Sequence, residues 1–534
     1  MPLLCFGFIL FYFTESCASK VDDLKISKPS NPVNLENEII YHIFLRSFYD
    51  SNGDRHGDLN GIRAKLDYLE DLGVNTILIT PLYLSPFYHN YFPDDFYKID
   101  PTYGSLEDYL ELVDALHQRG MKLIMDMEIH YVTKEHEWFK DSFENPDSPY
   151  SEYIIYNGPD NTDPESIIWN LDTVETWDGK QVILATTDMY SQAVIDYHHQ
   201  LFKYWVDPNG DGDFNDGVDG FRIDHMVDDL DWKNIRTDLL KKFWKPLFDS
   251  LRTVNPNLII MGEQGEWDFG IKYFEKGDVD LIFSFQLRNA FISFDKNSII
   301  NMADSTYRLR PEGKSEIIFL ENHDLSRFAT VVDRDPGKLK VGAALNILFK
   351  GVPSIYYGQE LGMTGEFKKY GNTATNDIPR REAFEWYRTI EGEGMALWYK
   401  ETGPWWEQTN LKPNDGISVD EQRGDGNSLW NFYKILISIR KDNPAIQSGE
   451  LKFISNDQDQ VLSFLRWNNN QRILVILNLE QNPIVTNINF SEIIVPKHIK
   501  SIYEILTDVH LPMPVNSTEL SINLKEFEIK ILKF

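Results

Sequence analysis

Alternating strand-like and helix-like segments predict an α/β chain built on a closed (β/α)8 barrel of the TIM type. Eight short apolar runs recur from about residue 38: EIIYHIF, VNTILIT, MKLIMDM, VDGFRID, NLIIMGE, VDLIFSF, SEIIFLEN and VPSIYYG. Stretches of helical period separate them, such as those from Leu106 to Gln118 and from Lys233 to Val254. Strands that alternate with helices pair in parallel, and eight such units close a barrel whose reactive groups sit at the carboxyl ends of the strands.

The elements follow in chain order. The first apolar run, Leu3 to Phe13, is too short to cross a bilayer and has the length of a signal-peptide core, so residues 1–19 read as an export signal. The mature chain is then expected outside the cell or at its surface, with no membrane-spanning segment. Cys17 stands where a lipoprotein carries its lipidated cysteine, although Thr14, Glu15 and Ser16 before it fit that pattern poorly. Cys5 and Cys17 are the only cysteines, so the mature chain has no intramolecular disulfide. Residues 34–446 form the barrel, interrupted after the third strand by more than ninety residues rich in Asn, Asp, Pro, Trp and Tyr. These read as an inserted subdomain at about 130–190, followed by a helix from Gln192 to Trp205. Residues 447–534 carry short alternating strands (VLSFLRW, RILVILNL, EFEIKILKF) and read as a C-terminal antiparallel β-sandwich.

Length and charge narrow the function. At roughly 150 residues per domain, 534 residues make two to four domains, and 42% hydrophobic residues suffice for a large core. The balance of 52 basic and 83 acidic residues, a net −31, repels phosphate backbones and anionic lipid heads. Charge therefore disfavours nucleic acid and membrane-surface partners. A monomer is expected.

Reactive side chains collect where the apolar runs end. The third run ends in Asp126, the fourth in Arg222 and Asp224, the fifth in Glu263, and the seventh in Asn322, His323 and Asp324. A single acid after a strand is usually a helix cap or a solvated loop residue. Carboxylates at several strand ends, with an Arg and a His, form the set that glycoside hydrolysis needs, because one acid must be protonated while another is ionised.

At these residues the chain resembles glycoside hydrolase family 13, the α-amylase family: GVDGFRIDH, IIMGEQGEWD and FLENHD are similar to its catalytic motifs. IIYHIFLRSFYDSNGD, GVNTILITPLYLSP, FYKIDPTYGSLEDYLELVDALHQRGMKLIMD and GVPSIYYGQELGM extend the resemblance from about Asn37 to the C-terminus. It implies that Asp224 is the nucleophile of a retaining mechanism, Glu263 the acid and then the base, and Asp324 the carboxylate that binds sugar hydroxyls and favours the distorted ring. It further implies that Arg222 keeps Asp224 ionised, that His323 donates to a sugar hydroxyl, and that Tyr91, in HNYFPDDFY, stacks on the cleaved sugar. The chain departs from the family in three places. DMEIHY puts His130 and Tyr131 where the family has Asn and His, so neither the calcium ligand nor the sugar contact carries over there. Asp228 stands near the usual aglycone-contacting Lys or His, and TTDMYSQ matches neither common form of the linkage-discriminating motif.

Two loops suit a structural Ca2+. Asp50, Asn52, Asp54 and Asp58 in DSNGDRHGD alternate oxygens along a tight turn, and relatives resembling oligo-1,6-glucosidases bind calcium there, with a backbone carbonyl at the position of His56. DPNGDGDFND offers Asp207, Asn209, Asp211 and Asp213, with Asp216 as a further donor, or reads as a solvated turn. Trp405 and Trp406 could serve as a sugar platform or as packing. The implied activity is hydrolysis of α-1,4 bonds in starch or maltodextrin, an α-glucan oligo- or polysaccharide. An oligo-α-1,6-glucosidase or glucosyl-transferring relative is the alternative enzyme, and a non-catalytic carbohydrate-binding protein the alternative of another class.

Overall fold

The computed structural model describes residues 34–371, 373–493, 501–513 and 518–534. The expected signal segment and Cys17 lie outside these residues. Asn34–Phe534 forms one unit.

Each of the eight apolar runs forms a strand: β1 Ile40–Ile43, β2 Thr76–Ile79, β3 Lys122–Met127, β4 Gly220–Met226, β5 Ile259–Gln264, β6 Leu281–Phe283, β7 Ser315–Ile318 and β8 Val352–Tyr356. They close a barrel in sequential order, each pair parallel. Alternation along the strands decides what faces the lumen. On β4, Phe221 packs on Phe202 of the covering helix Gln192–Val206, with ring centroids 4.7 Å apart, and so turns away from the lumen. Arg222 and Asp224, of the opposite parity, therefore project inward. Gly220 opens β4 because a Cβ there would lie 2.1 Å from the carbonyl oxygen of Ile259.

The helices begin where capping chemistry puts them. α1 (Leu59–Ala64) is capped by Asp58, which accepts from the amide of Gly61, and α2 (Leu66–Leu72) follows directly. α3 (Leu106–Gln118) carries a reciprocal capping box between Ser105 and Asp108. α4 spans Gln192–Val206. The helix expected from Lys233 is shorter: Asn234 and Asp238 hold positive φ, and helical structure begins at Leu240 as one π-turn before α5 (Lys245–Val254). Between β3 and α4 lies a three-stranded antiparallel sheet (Tyr131–Thr133, Gln181–Thr186, Thr173–Glu175) with its own apolar cluster of Phe87, Tyr131, Ile167, Val174, Val182 and Leu184.

The C-terminal strands are β9 Glu450–Phe453, β10 Val461–Trp467, β11 Arg472–Asn478, β12 Ile484–Asn489, β13 Ser501–Glu504, β14 Val509–Pro512, β15 Glu519–Leu524 and β16 Ile529–Lys533. They form a six-stranded sheet, β9-β10-β11-β16-β13-β14, and the pair β12-β15. Leu462, Phe464, Ile473, Val475 and Ile531 on one face of the large sheet join the barrel's apolar cluster. Val461, Leu465, Leu474, Ile476 and Leu532 on the other face pack on Ile488, Ile522 and Leu524 of the small sheet.

One buried guanidinium, Arg466, joins this sheet to the barrel, and a second, Arg440, braces the same turn from a barrel helix. α6 (Pro336–Leu348) precedes β8, and its last carbonyls have no helical partner. Arg466 of β10 donates to the carbonyls of Leu348 (2.9 Å), Phe349 (2.7 Å) and Gly449 (2.9 Å). Arg440, on α7 (Leu429–Asp442), donates to Ile347 (2.9 Å) and Gly351 (2.6 Å). Arg466→Met keeps the apolar stem and strands these carbonyls, so it should cost about 3 kcal/mol or more in denaturant unfolding while leaving turnover per folded molecule unchanged.

Candidate active site

The carboxyl ends of β3, β4, β5 and β7 bring Asp126, Arg222, Asp224, Glu263, His323 and Asp324 to one end of the barrel. Register sets the first contact: Asp126 pairs with Arg222 across β3 and β4, both facing inward. The buried Arg222 directs Nη1 to both carboxyl oxygens of Asp126 (2.8 Å each) and to Asp224 Oδ1, and Nη2 to Glu263 Oε2 (2.7 Å). Between β4 and β5 the register slips by one residue, so that Asp224 and His225 together face Glu263. His225 takes a positive φ of 42°, and its amide donates to Glu263 Oε2 at 3.3 Å. A bulge here re-aims the side chains at the strand end, as bulges beside active sites do.

The opposite wall holds Asp324. His323 Nε2 lies 3.0 Å from Asp324 Oδ2, and Arg381 donates Nη2 to Asp324 Oδ1 at 2.7 Å and Nε to the carbonyl of His323 at 3.0 Å. The Tyr91 hydroxyl bridges the walls, 2.8 Å from Asp126 Oδ2 and 2.9 Å from His323 Nε2, and its ring stacks on the His323 ring at 5.4 Å. Exposure grades outward: the Asp126 and Arg222 side chains are 0% and 1% exposed, those of Glu263 and Asp224 are 12% and 17%, and that of Asp324 is 40%. The floor is therefore sealed, and three carboxyl groups face the opening.

Charge follows from this packing. Three carboxyl groups share one guanidinium, so protons must make up the deficit. Burial pushes Asp224 up to about 7, with Arg222 opposing and Asp126, Glu128 and Asp324 adding to the rise. Burial likewise lifts Glu263 to about 7 against Arg222, with Asp224 and Asp324 adding to the rise. Asp324 stays well below the usual carboxylate range: burial opposes this, but His323, Arg381 and Arg222 outweigh it. Carboxyl groups of one kind are thus driven to opposite protonation states in one cleft, the condition for acid–base work at neutral pH.

The other singled-out residues fall elsewhere. Tyr131 gives its hydroxyl to Asp231, and His130 is buried with Nδ1 2.7 Å from Glu128 Oε1. Asp228 accepts from the amide of Leu240 (3.1 Å) and faces Lys276 (3.7 Å), so it supports a helix start. In TTDMYSQ, Arg236 grips Asp188 with two bonds of 2.6 Å. Trp405 is buried and donates to Thr402, which makes it packing. Asp50 accepts amides from Asn52 (3.1 Å), Gly53 (2.7 Å) and Arg55 (2.8 Å), Asn52 accepts from Asp54 (2.9 Å), Asp54 from His56 (2.8 Å), and Asp58 from Ser51 and Gly61. In the second loop Asp207, Asn209, Asp211 and Asp213 accept amides in the same manner. Asp216 differs: both carboxyl oxygens are inaccessible and lack a donor, and burial, then Asp207, Asp211 and Asp213, push it up. Among the described residues, no group of three or more His, Cys, Asp or Glu side chains is placed to hold a metal ion.

Sequence reasoning missed Arg381 and Glu128. Arg381 follows no apolar run, and only the fold carries it back to Asp324. Trp232 was also missed: it is 47% exposed, with its ring 5.2 Å from that of His225, the residue after Asp224.

A stability prediction follows from the raised acids. Glu263 titrates at about 7 when folded and at about 4.3 when unfolded. The folded state therefore holds the extra proton between these values, and stability falls as pH rises through them. Glu263→Gln removes this loss, so its melting temperature relative to the wild type should climb from pH 4 to pH 8, as scanning calorimetry can measure.

Comparison with known proteins agrees with this geometry. The family model "Alpha amylase, catalytic domain" matches residues 42–449. Alpha-amylase 3 of Dictyoglomus thermophilum is 30% identical over 479 residues, covering 87% of this chain and 88% of that protein. Probable oligo-1,6-glucosidase 2 of Bacillus subtilis is 27% identical over 527 residues, covering 84% and 91%. The crystal structure of the α-amylase from H. orenii superposes with a TM-score of 0.75 at 28% identity, covering 93% of this chain and 99% of that one. The barrel, the strand-end carboxyl cluster and the match over most of the chain lead to one conclusion: the protein belongs to the α-amylase family, glycoside hydrolase family 13.

Proposed function

We propose that this enzyme hydrolyses α-1,4-glucosidic bonds of starch or maltodextrin with retention of configuration. The observation that supports this most is geometric: Arg222 holds Asp224 through Nη1 and Glu263 through Nη2 (2.7 Å), and Asp324 stands on the opposite wall, held by Arg381 at 2.7 Å. In this reading Asp224, held by Arg222, attacks the anomeric carbon and forms a glycosyl ester. Glu263 delivers its proton to the leaving oxygen, then takes one from the water that opens the ester. Asp324, fixed by Arg381 and His323, accepts hydroxyls of the ring at the cleavage position, and His323 with Tyr91 lines the same position. Trp232 offers an exposed apolar face beside His225, where a second glucose unit would lie.

Soluble starch and, separately, isomalto-oligosaccharides decide the bond. Maltodextrins released from starch in the α-anomeric form are the expected products. Glucose from isomalto-oligosaccharides alone would reassign the enzyme to α-1,6 bonds, and transfer products would reassign it to glucosyl transfer. Asp224→Ala, Glu263→Gln and Asp324→Asn should each lower kcat by at least ~10³-fold while remaining folded, and near-normal turnover in a folded variant would remove that residue from the mechanism.

We further propose a structural Ca2+ at one of the two acidic loops, the first (Asp50, Asn52, Asp54, the His56 carbonyl, Asp58) or the second (Asp207, Asn209, Asp211, Asp213, Asp216); among the described residues no three acidic side chains converge in either loop, so binding requires them to turn from backbone amides to the ion. Chelation should lower the melting temperature. Loss of that shift in Asp54→Ala alone would assign the ion to the first loop, loss in Asp216→Ala alone to the second, and no shift in the wild type would exclude calcium from both.

A further inference from the structure

We infer that Trp169, Trp232 and Trp267 form an aromatic rail that binds a long α-glucan chain on the leaving-group side of the cleft, which makes the enzyme selective for polymer over short oligosaccharide. The inference rests on the reading of this cleft as an α-glucan hydrolase site and extends it to chain length. Two separate properties single out the same three residues. Among the described residues they are the exposed tryptophans, at 77%, 47% and 45%. They are also the tryptophans with left-handed backbone, at φ of 61°, 55° and 51°. A bulky side chain at positive φ is a strained outlier, and an indole left in water forgoes the stabilisation of burial. Backbone strain of this kind persists at ligand clamps, so strain and exposure together mark rings held out for a ligand.

Each ring is fixed by its surroundings. Trp232 stands where β4 and β5 end: its ring lies 5.2 Å from that of His225, next after Asp224, and a Cβ added to Gly265, two residues after Glu263, would lie 3.1 Å from the indole. Its turn is anchored by the buried Asp231, which accepts from Tyr131 and faces His225 Nε2 at 3.5 Å. Trp267, four residues after Glu263, stacks on Phe285 with centroids 4.5 Å apart and planes 6° from parallel. One indole face is thereby covered, which leaves the opposite face to account for the exposure. The carbonyls of Trp267 and Asp268 accept from Gln286 and Gln264, at 2.8 Å each. Trp169 lies on a turn closed by the bridge between Ile167 and Leu171. Lys233, next after Trp232, ties that turn to the barrel by donating to Glu165 (2.7 Å) and to the carbonyls of Ser166 (2.5 Å) and Ile167 (3.3 Å).

The chemistry of these rings selects a sugar chain. A bare indole face matches the apolar C–H face of a pyranose, and a neutral glucan is not repelled by a protein of net charge −31. Glu263 protonates the leaving oxygen, so rings grouped around the exit of β5 meet glucose units on the leaving side. Trp232 takes the unit next to the cleaved bond, and Trp267 and Trp169 take units further along.

The test has two arms. In Glu263→Gln, oxidation by N-bromosuccinimide read by peptide mass spectrometry should mark the three tryptophans, and amylose should protect them all. Oxidation of Trp169 or Trp267 that amylose leaves unchanged would overturn the rail. In the active enzyme, Trp169→Gly and Trp267→Gly should each lower the ratio of kcat/KM for amylose to kcat/KM for maltotriose about tenfold, the worth of one aromatic contact. Trp169→Gly should also raise the melting temperature, because glycine adopts the left-handed backbone without strain. An unchanged ratio in either folded variant would overturn the inference while leaving the cleft chemistry in place. If a variant fails to fold, the protection pattern decides alone. A wild type that cleaves neither amylose nor maltotriose would instead remove the reading on which the inference rests.

Discussion

The chemistry of this barrel hangs on one buried cation. Arg222 reaches three carboxyl groups from three strands, and its position follows from inward parity on β4 and register with Asp126. A guanidinium suits this task because its fork reaches several oxygens at fixed angles and stays charged when buried. Its single charge is also too small for the acids around it, and that shortage keeps protons on carboxyl groups near neutral pH. A second cation in contact with Glu263 would ionise the acid, whereas removal of Arg222 would leave three buried carboxyl groups to hold their own protons. The protonation split is thus a property of stoichiometry as much as of burial.

The barrel was legible because its strands are buried on both sides and so read as continuous apolar runs, each ending where polar chemistry begins. Asp126, Arg222, Asp224, Glu263, His323 and Asp324 could be found from strand ends alone, and the structure brings all six together. Tyr91 lies in a loop between β2 and α3, outside any apolar run, and only the family resemblance pointed to it. Arg381 was illegible for the same reason: its partner Asp324 is 57 residues away. The segment after Lys233 misled because its apolar spacing continues through residues whose φ is positive, and periodicity does not register backbone handedness.

The third strand shows how a departure from a family pattern can be local and still coherent. His130 and Tyr131 are each buried and bonded, one to Glu128 and the other to Asp231. Together with His225 they form a polar layer behind Asp224. A layer of this type persists only when its members satisfy one another, since each would be costly to bury alone.

The two arginines beneath the barrel bear on modularity. A C-terminal sheet with strands of its own resembles a part that could be exchanged or lost. Arg466 and the apolar row of Leu462, Phe464, Ile473, Val475 and Ile531 make it instead the closing surface of the helix that feeds β8. A chain cut after the barrel would expose that row and leave helix-end carbonyls without donors.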